Sequence, residues 1–422
     1  MFWTIVITAL ITVFLTFIGM NFALPEKKLQ RKLARLYGMS DPQFSREMGV
    51  MLGPAVTSGN SIQLLNNGDE IFPAMLEAIR SAQKTITFET FIYWTGEIGK
   101  KFAKALVERA QAGVRVHVLL DWAGSLKMDD ELLDFLKESG VRVHSYRPLR
   151  WYHLNRLNNR THRKLLVVDG KVAFTGGVGI ADSWLGNAEN ENHWRDIHFR
   201  MEGPVVSQVQ AAFNDNWIKT TGEVLHGEDF FPSQDKEAGD TWAHMFISSP
   251  AGGSENMQLM YMLTITAAEK SIDLQAAYFV PDELITSTLV AAVERGVKIR
   301  IMVPDKHIDQ QIVRFVSKAL WGDFLKKGVE IHTYEPTMMH NKMLIIDEYL
   351  VSVGSTNFDM RSFHLNDEAS LNIYDKDFAQ KMTKIFEQDI ERCRHYDYAM
   401  WRKRPLRQRI LEKIFLPIKS QL

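Results

Sequence analysis

The feature that most constrains this chain is an internal duplication: two stretches carry the same succession of helix-like and strand-like segments. The β-branched runs of the first stretch lie at 85–89, 114–120 and 141–146, and those of the second at 271–274, 297–303 and 329–334. Helix-like segments separate these runs in both stretches. Helices that alternate with short β-branched strands are typical of α/β folds in which helices cover a sheet. The sequence therefore predicts two copies of one layered α/β unit.

The composition indicates a folded protein of balanced charge. The 422 residues include 50 Lys and Arg against 51 Asp and Glu, 45% are hydrophobic and 11% are aromatic. This length suits two or three domains, and the aromatic content argues against disorder. Because the chain lacks the basic excess of a dedicated nucleic-acid-binding protein, we expect no nucleic-acid partner. The single cysteine, Cys393, excludes an intramolecular disulfide, and no Cys/His spacing is typical of a zinc site.

The N-terminal run 1–24 contains no charged side chain, and as a helix it would be roughly 36 Å long, enough to cross a membrane. The basic residues that follow it are Lys27, Lys28, Arg31, Lys32 and Arg35. A cleaved signal peptide is the alternative, but it needs basic residues before the apolar run and a small-residue cleavage site. By the positive-inside rule we expect one transmembrane helix in a cell (inner) membrane, with the body on the cytoplasmic side.

The duplication divides the remainder of the chain. We expect a basic juxtamembrane segment at 25–60, halves at 61–220 and 241–395, a polar linker at 221–240 and a basic tail at 396–422. Binding sites commonly lie where two domains meet. Polar residues that recur in both halves are therefore the first candidates for function.

One polar pattern, H-x-K-x4-D, occurs in both halves. Its residues are His162, Lys164 and Asp169 within 156–183, and His340, Lys342 and Asp347 within 334–361. A pair of small residues follows each copy at the same distance, 176–177 and 354–355. One copy alone would be a weak signal, because motif matches carry a false-positive risk and a lone strand histidine is more often a core residue. Two copies at equivalent places make coincidence implausible, and both His–Lys pairs are catalytic candidates.

Strand geometry separates the motif residues by role. Side chains alternate across a strand, so the histidine and lysine of each motif share a face. The motif aspartate lies on the order of 20 Å beyond the histidine in a straight strand, too far to orient the ring. We therefore assign Asp169 and Asp347 to architecture, and 169–170 is typical of a hairpin turn. Asp196 and Glu368 open the strand-like runs after the next turn and are better placed to bond one ring nitrogen and fix the tautomer.

Two histidines and two lysines that face each other suit the chemistry of a phosphodiester. The ammonium groups compensate the negative charge that a metal ion would otherwise neutralise, so we expect no metal and no cofactor. One neutral imidazole can attack phosphorus while the other, protonated, gives a proton to the leaving alkoxide. The two rings then exchange roles when the second alcohol or water arrives. Their titration should be coupled, with a bell-shaped pH profile.

These paired motifs, with 354–357 and Glu368 after the second, resemble the phospholipase D superfamily over residues from about 61 to 395. Three shorter stretches, 175–177, 278–282 and 361–363, resemble its bacterial cardiolipin synthase branch. The resemblance implies tandem α/β sandwich halves that form one pseudo-two-fold unit. It also implies a phosphohistidine intermediate formed without metal, and transfer of a phosphatidyl group to the hydroxyl of a second lipid.

The resemblance also implies roles for single residues. His162 would be the nucleophile and His340 the general acid, with Asp196 and Glu368 holding the two rings. Phosphate would be bound by Lys164, Lys342, Ser355 and Asn357, with Gly177 as the substrate-binding counterpart of Ser355. The chain departs from the pattern at Gly179, which stands where the second half has Asn357. The first half thus lacks one expected phosphate-binding amide.

Two basic segments suggest contact with anionic lipid. The first lies between 147 and 160 and contains Arg147, Arg150, Trp151, Tyr152, Arg156 and Arg160 without an acidic residue. Arginine and amphipathic rings suit the headgroup zone of a membrane, and a solvated loop is the alternative. In the tail, Leu406, Ile410 and Ile414 recur at helical spacing among basic residues. This pattern favours a helix on an anionic membrane surface over an ordinary packed terminal helix.

Together with the resemblance to the phospholipase D superfamily, the sequence predicts a membrane-tethered phosphatidyltransferase, and the resemblance implies that it makes cardiolipin from phosphatidylglycerol and releases glycerol. Its expected partners are anionic phospholipids and the membrane surface. A hydrolase of the same fold is the first alternative, either a phospholipase D or, less in keeping with the balanced charge, a nuclease. The second alternative is an inactive membrane scaffold, because the first motif is incomplete.

Overall fold

The computed structural model describes residues 1–22, 29, 31–35, 37–148, 158–233, 237–250 and 256–422. An N-terminal helix α1 (Phe2–Phe22) precedes the body. The first half consists of α2 (Pro42–Leu52), β1 (Thr57–Asn66), α3 (Asn67–Ser81), β2 (Thr85–Thr90), α4 (Glu97–Gln111), β3 (Arg115–Asp121), α5 (Asp130–Glu138), β4 (Arg142–Tyr146), β5 (Leu165–Val168), β6 (Val172–Gly176), β7 (Ile197–Glu202) and α6 (Val205–Thr221).

The second half repeats this order after residues 222–233 and 237–240, which contain no helix or strand. It consists of β8 (Thr241–Ser248), α7 (Asn256–Ala267), β9 (Ser271–Ala276), β10 (Phe279–Val280), α8 (Glu283–Glu294), β11 (Lys298–Pro304), α9 (Gln311–Lys326), β12 (Glu330–Tyr334), β13 (Lys342–Ile346), β14 (Leu350–Gly354), β15 (Phe358–Asp359), α10 (Met360–His364), β16 (Glu368–Tyr374), α11 (Lys376–Ile390) and β17 (Cys393–Tyr396). Two short helices, α12 (Tyr398–Arg402) and α13 (Leu406–Phe415), follow.

The strands of both halves form one mixed sheet of 15 strands, in the order β17-β12-β11-β9-β13-β14-β16-β8-β1-β7-β6-β5-β2-β3-β4. The halves join where β1 pairs antiparallel with β8. From this junction the order of strands in one half mirrors that in the other, and β17 is an addition at one edge. In each half three neighbouring strands are parallel, β2-β3-β4 and β9-β11-β12. The predicted duplicated α/β architecture is confirmed.

Local sequence explains where many helices begin. Aspartate side chains accept a hydrogen bond from the main-chain N–H three residues later at the starts of α5, α8 and α11, at distances of 2.8–2.9 Å. Such N-caps satisfy main-chain donors that have no partner within the helix. The helices pack on the sheet through apolar faces, and one apolar cluster takes residues from both halves, among them Phe199, Phe213, Met245 and Leu371. The two halves therefore share a core.

The N-terminal helix and the tail differ in their contacts with the body. Along α1 the large apolar side chains are exposed, from Phe2 to Leu15. Within the parts of the chain that the structure describes, no helix has both the length and the apolar character needed to cross a membrane. The transmembrane segment expected at 1–24 is thus not confirmed. The tail helix α13 packs against α9, and the ring of Phe415 stacks on that of Phe315 at 6.0 Å.

Candidate active site

The two H-x-K motifs lie at the N-terminal ends of the equivalent strands β5 and β13, at the interface of the halves. Each histidine is bound to the opposite half through its main chain. His162 N donates to Asp367 O at 2.8 Å, and His340 N donates to Arg195 O at 2.7 Å. Both histidines precede the first residue that is hydrogen-bonded as a strand, which is Leu165 in one half and Lys342 in the other. The extended chain nevertheless keeps each histidine and its lysine on one side.

The carboxylates that bond the two rings are exchanged between the halves. His162 Nδ1 lies 3.0 Å from Glu368 Oε1, and His340 Nδ1 lies 2.8 Å from Asp196 Oδ2. Each half thus supplies a histidine to the site and a carboxylate to the histidine of the other half. Because both bonds use Nδ1, that nitrogen carries the hydrogen and Nε2 is left with a lone pair. The sequence pointed to both carboxylates but not to this crossed pairing.

Burial and charge set the protonation of the histidines. Burial lowers the pKa of His162 to about 4, although Glu368 opposes this shift. Burial and the Lys342 charge lower the pKa of His340 to about 3. Burial alone would raise the pKa of both partner carboxylates, but their hydrogen bonds and charge interactions with the histidines hold it below the ordinary value. At neutral pH the site therefore contains two neutral rings and two carboxylate anions.

The two lysines lie in the same electrostatic environment. Burial and mutual repulsion with Lys342 lower the pKa of Lys164 to about 7, and burial lowers the pKa of Lys342 to about 8. Each lysine donates to the main-chain oxygen of its own histidine at 2.7 Å, and Lys342 Nζ in addition lies 3.0 Å from His340 Nε2. Within the described part of the chain, Nε2 of His162 has no hydrogen-bond partner. The two halves are thus unequal: one imidazole is bound by its lysine and the other is not.

The candidate phosphate-binding residues occupy different environments. Ser355 Oγ donates to Glu368 Oε2 at 2.5 Å, so this hydroxyl holds a carboxylate. Gly177 leaves space for Asp196, since a Cβ at this position would overlap the Asp196 carboxylate. Asn357 is 5% exposed, and its Oδ1 has no hydrogen-bond partner among the described residues. At Gly179 a Cβ would lie 2.8 Å from Ile92 Cβ, which explains why no side chain stands opposite Asn357.

The motif aspartates lie away from the histidines, in the turns after β5 and β13. Asp169 accepts hydrogen bonds from the main-chain N–H groups of residues 83, 84 and 85 at 2.7–2.9 Å. Asp347 accepts the equivalent three bonds from residues 269, 270 and 271 at 2.7–2.9 Å. In each half these contacts fix the turn to the start of a neighbouring strand.

Sequence reasoning missed two buried arginines that bond the main chain of the two carboxylate residues. Arg163 Nε donates to Glu368 O at 3.3 Å, and Arg195 Nη1 donates to Asp196 O at 3.0 Å. Arg195 is in turn paired with Asp389 at 2.9 Å. Each arginine is next to a predicted site residue in the sequence, and this adjacency was the only local indication of its role. No spacing pattern links Arg195 to a partner 194 residues away.

Aromatic rings that the sequence did not single out complete the surroundings of the histidines. The Trp184 ring lies 5.3 Å and the Trp194 ring 5.6 Å from that of His340, and Phe91 lies 5.2 Å from His162. Trp184 Nε1 also donates to Asp196 Oδ2 at 2.9 Å. These rings limit the access of water to the Asp196 and His340 pair.

The basic segment at 147–160 is described only at its ends. Arg147 lies 3.7 Å from Asp367, and the Arg160 guanidinium lies over the Trp122 ring at 4.6 Å. The candidate lipid contacts Arg150, Trp151, Tyr152 and Arg156 fall outside the described residues, as do Lys27 and Lys28.

Comparison with known proteins identifies the family. A family model described as "Cardiolipin synthase, PLD-like domain" matches residues 75–217 and 261–390. A cardiolipin synthase of Geobacillus thermodenitrificans is 36% identical over 85% of this chain and 72% of its own length. Cardiolipin synthase A of Pseudomonas syringae is 34% identical over 81% of this chain and 70% of its own length.

A solved structure shows the same fold at low identity. The phosphatidylserine synthase of Haemophilus influenzae aligns with a TM-score of 0.68 and 16% identity, over 86% of this chain and 95% of that protein. The family match takes in both copies of the H-x-K motif and both crossed carboxylates. The chain therefore belongs to the cardiolipin synthase family of phospholipase D-like proteins.

Proposed function

We propose that this protein is a phosphatidyltransferase that makes cardiolipin from two molecules of phosphatidylglycerol, through a phosphohistidine intermediate. The observation that carries the proposal is the pair of neutral, carboxylate-bound imidazoles in one site with two lysines. Nε2 of each ring is left for chemistry, and the lysines supply positive charge for a phosphodiester. Relatives named cardiolipin synthase, which align over most of this chain, support the choice of lipid.

In the first step Nε2 of His162 attacks phosphorus, a P–N bond forms and the P–O bond to glycerol breaks. His162 suits this role because its Nε2 is not bound by a lysine, while its Nδ1–H is fixed by Glu368. The bound phosphodiester anion favours protonation of His340, and the proton comes from the Lys342 ammonium, whose Nζ lies 3.0 Å from Nε2 of this ring. The protonated ring then donates its Nε2 proton to the departing glycerol oxygen.

In the second step the hydroxyl of another phosphatidylglycerol gives its proton to the neutral His340 and attacks the phosphohistidine. The P–N bond breaks, cardiolipin leaves and His162 is regenerated. Water in place of the lipid hydroxyl would give phosphatidic acid instead. The aromatic rings beside His340 favour transfer, since they limit the entry of water.

The test is to incubate the protein with phosphatidylglycerol vesicles and to resolve the lipid products. We expect cardiolipin and free glycerol, with a rate that a chelator leaves unchanged. Phosphatidic acid as the main product would indicate the hydrolase, and no turnover the scaffold. His162→Ala and His340→Ala should each abolish turnover, and normal activity in either variant would refute the two-histidine mechanism. In His340→Ala a slowly formed phosphoryl group should be found on His162.

We propose further that the protein works at a membrane surface, tethered by α1 with its body on the cytoplasmic side. Two groups of exposed apolar residues support this. The first is the apolar surface of α1. The second is the α13 stripe, defined as Leu406, Ile410 and Ile414, which are 69%, 49% and 59% exposed. Arg407, Arg409 and Lys413 flank this stripe, as a helix on anionic lipid requires.

Replacing all three residues of the α13 stripe with serine tests the second contact. We expect less cardiolipin from vesicles but unchanged cleavage of a short-chain phosphatidylglycerol in solution, because only the first requires binding to a bilayer. The matched control replaces Val50 and Met51 with serine, since these apolar residues are exposed on α2. Equal vesicle activity in the stripe variant and wild type would contradict the contact.

A further inference from the structure

One polar pair beside the site is not used by the proposed mechanism. The Tyr278 hydroxyl donates to Asp309, whose two carboxylate oxygens lie 2.7 and 2.8 Å away. Tyr278 is partly buried and Asp309 is exposed. We propose that this pair binds the hydroxyl groups of the glycerol head group as it leaves the donor lipid. This inference rests on the proposed function, because it assigns the leaving group to one side of the site.

The chain path places Tyr278 next to the second H-x-K motif. Ala277 N donates to the main-chain oxygen of Asn341, the residue between His340 and Lys342, at 3.1 Å. On the other side Phe358 N donates to Tyr278 O at 3.1 Å. The phenol ring packs in an apolar cluster that includes Trp194, whose ring also contacts His340. Tyr278 is thus fixed between the motif and its surrounding rings.

Asp309 lies on a loop that is held in place from two sides. Asp305, four residues earlier, is bonded by Arg314 at 2.5 Å and by Lys318 at 2.7 Å. Across the cleft His307 lies 3.7 Å from Glu191 of the first half. The Asp309 carboxylate also interacts electrostatically with the Lys342 ammonium. The carboxylate therefore occupies a defined position near His340 rather than the end of a free loop.

Reaction geometry identifies the group that would lie there. When His162 attacks phosphorus, the leaving oxygen lies roughly in line on the far side, next to the acid His340. The remainder of the head group then extends into the second half, towards the Tyr278–Asp309 pair. A carboxylate has about four lone-pair sites, and Tyr278 donates only one hydrogen, so sites remain for hydroxyl donors. Glycerol supplies two such hydroxyls, and the nearby Lys342 disfavours a cationic head group.

Among the described residues of the first half there is no equivalent pair. Tyr93 forms a parallel bridge to Ile180, and Phe279 pairs in the same way with Phe358. The residue before Tyr93 therefore corresponds to Tyr278, and this residue is Ile92. Ile92 also fills the space next to Gly179. The side of the site that carries the proposed nucleophile is therefore apolar at this point, and the side that carries the proposed acid is polar. This difference assigns the glycerol to the second half.

A competition between two donor lipids tests the assignment. Vesicles contain equal amounts of phosphatidylglycerol and phosphatidylethanol, and mass spectrometry follows the release of glycerol from the first donor and of ethanol from the second. The ratio of the two rates gives the ratio of kcat/KM, whatever the fraction of active protein. Asp309→Asn should lower the preference for phosphatidylglycerol about tenfold, as expected for one lost charge-assisted hydrogen bond, and Tyr278→Phe by a smaller factor. Asp323→Asn, which removes an exposed carboxylate on α9 that does not contact the pair, should leave the ratio unchanged.

An unchanged ratio in Asp309→Asn would overturn the inference, and so would an equal loss in Asp323→Asn. If Asp309→Asn is inactive with both donors, Tyr278→Phe becomes the test. An unchanged ratio in that variant would overturn the inference. Failure of the proposed function has a different signature. A wild-type protein that forms only phosphatidic acid would refute transfer between lipids, yet the ratio of released glycerol to released ethanol would still report which donor is preferred.

Discussion

The two halves hold their histidine-bound carboxylates with different neighbouring residues. In the second half Glu368 is bonded by Ser355 Oγ. In the first half the shorter Asp196 is bonded by Trp184 Nε1, and Gly177 takes the place that corresponds to Ser355. A side chain at Gly177 would collide with the carboxylate. The small-residue pairs noted in the sequence are therefore matched to the length of the carboxylate that each must accommodate.

This difference predicts unequal effects of alanine at equivalent positions. Gly177→Ala should displace Asp196 from His340 and lower kcat about 100-fold, whereas Ser355→Ala removes one hydrogen bond and should lower kcat about 10-fold. Both variants are compared with wild type in turnover of a soluble phosphodiester, with circular dichroism as the control for folding. A Gly177→Ala protein as active as Ser355→Ala would show that the Asp196 contact is not limiting.

The pKa values of the site predict the pH dependence of kcat/KM. The neutral form of His162 is required, and because its pKa is lowered to about 4, activity should be lost only as the pH falls towards 4. The lysine protons are required, because Lys342 supplies the proton that His340 delivers, and the lysine pKa values of about 7 and about 8 predict a decline as the pH rises through this range. The apparent values belong to coupled groups.

Lys164→Arg tests whether the lysine titration causes the loss of activity at high pH. Arginine stays protonated throughout this range, so the decline should move to higher pH even if the maximal rate is lower. An alkaline limb that stays in place would assign the titration to another group.

At the scale of secondary structure, the two hairpins after the motif strands have the same backbone but different residues. Both central residues have positive φ in each hairpin: 53° and 63° for Asp169 and Gly170, and 54° and 51° for Asp347 and Glu348. Glycine adopts this conformation without strain, whereas glutamate does not. At Gly170 a Cβ would also lie 2.5 Å from Phe230 O, while Glu348 is exposed. The first hairpin needs its glycine for close packing, and the second does not.

Glu348→Gly should therefore stabilise the protein by about 0.5–1 kcal/mol, since relief of the left-handed strain exceeds the added entropy of the unfolded chain. Gly170→Ala is the counterpart and should destabilise it, because of both the backbone conformation and the contact with Phe230. Chemical denaturation of the two variants and wild type measures both changes. A lower unfolding free energy for Glu348→Gly would contradict the strain.

These elements also show what the sequence could predict. Strand runs, helix ends and the two H-x-K motifs follow from local periodicity and spacing, and the strands lie where those signals placed them. The crossed bonds from Glu368 to His162 and from Asp196 to His340 join residues that are 206 and 144 positions apart. Such contacts depend on how the halves dock, and no local pattern encodes that docking. The positive φ of Glu348 could not be predicted from the sequence either, because the fold imposes this conformation against the preference of the residue.

In the whole molecule, duplication produces a single folding unit rather than two independent domains. One sheet runs through both halves by way of β1 and β8, and a shared apolar cluster combines Phe199 and Phe213 with Met245 and Leu371. The active site follows the same plan, because neither half contains a histidine together with the carboxylate that bonds it. A separate half would expose part of the shared core and lack the partner of its histidine.

Dividing the chain in the connection between the halves, into fragments 1–233 and 234–422, separates each histidine from the carboxylate that bonds it. Each fragment alone should be inactive, because His162 then lacks Glu368 and His340 lacks Asp196. Expressed together they should associate through β1, β8 and the shared core and recover turnover, which copurification and a phosphodiester assay measure. The control pairs the first fragment carrying His162→Ala with the unchanged second fragment and should be inactive. Turnover by either fragment alone would refute a site divided between the halves, since it would show that one histidine suffices with the groups of its own half.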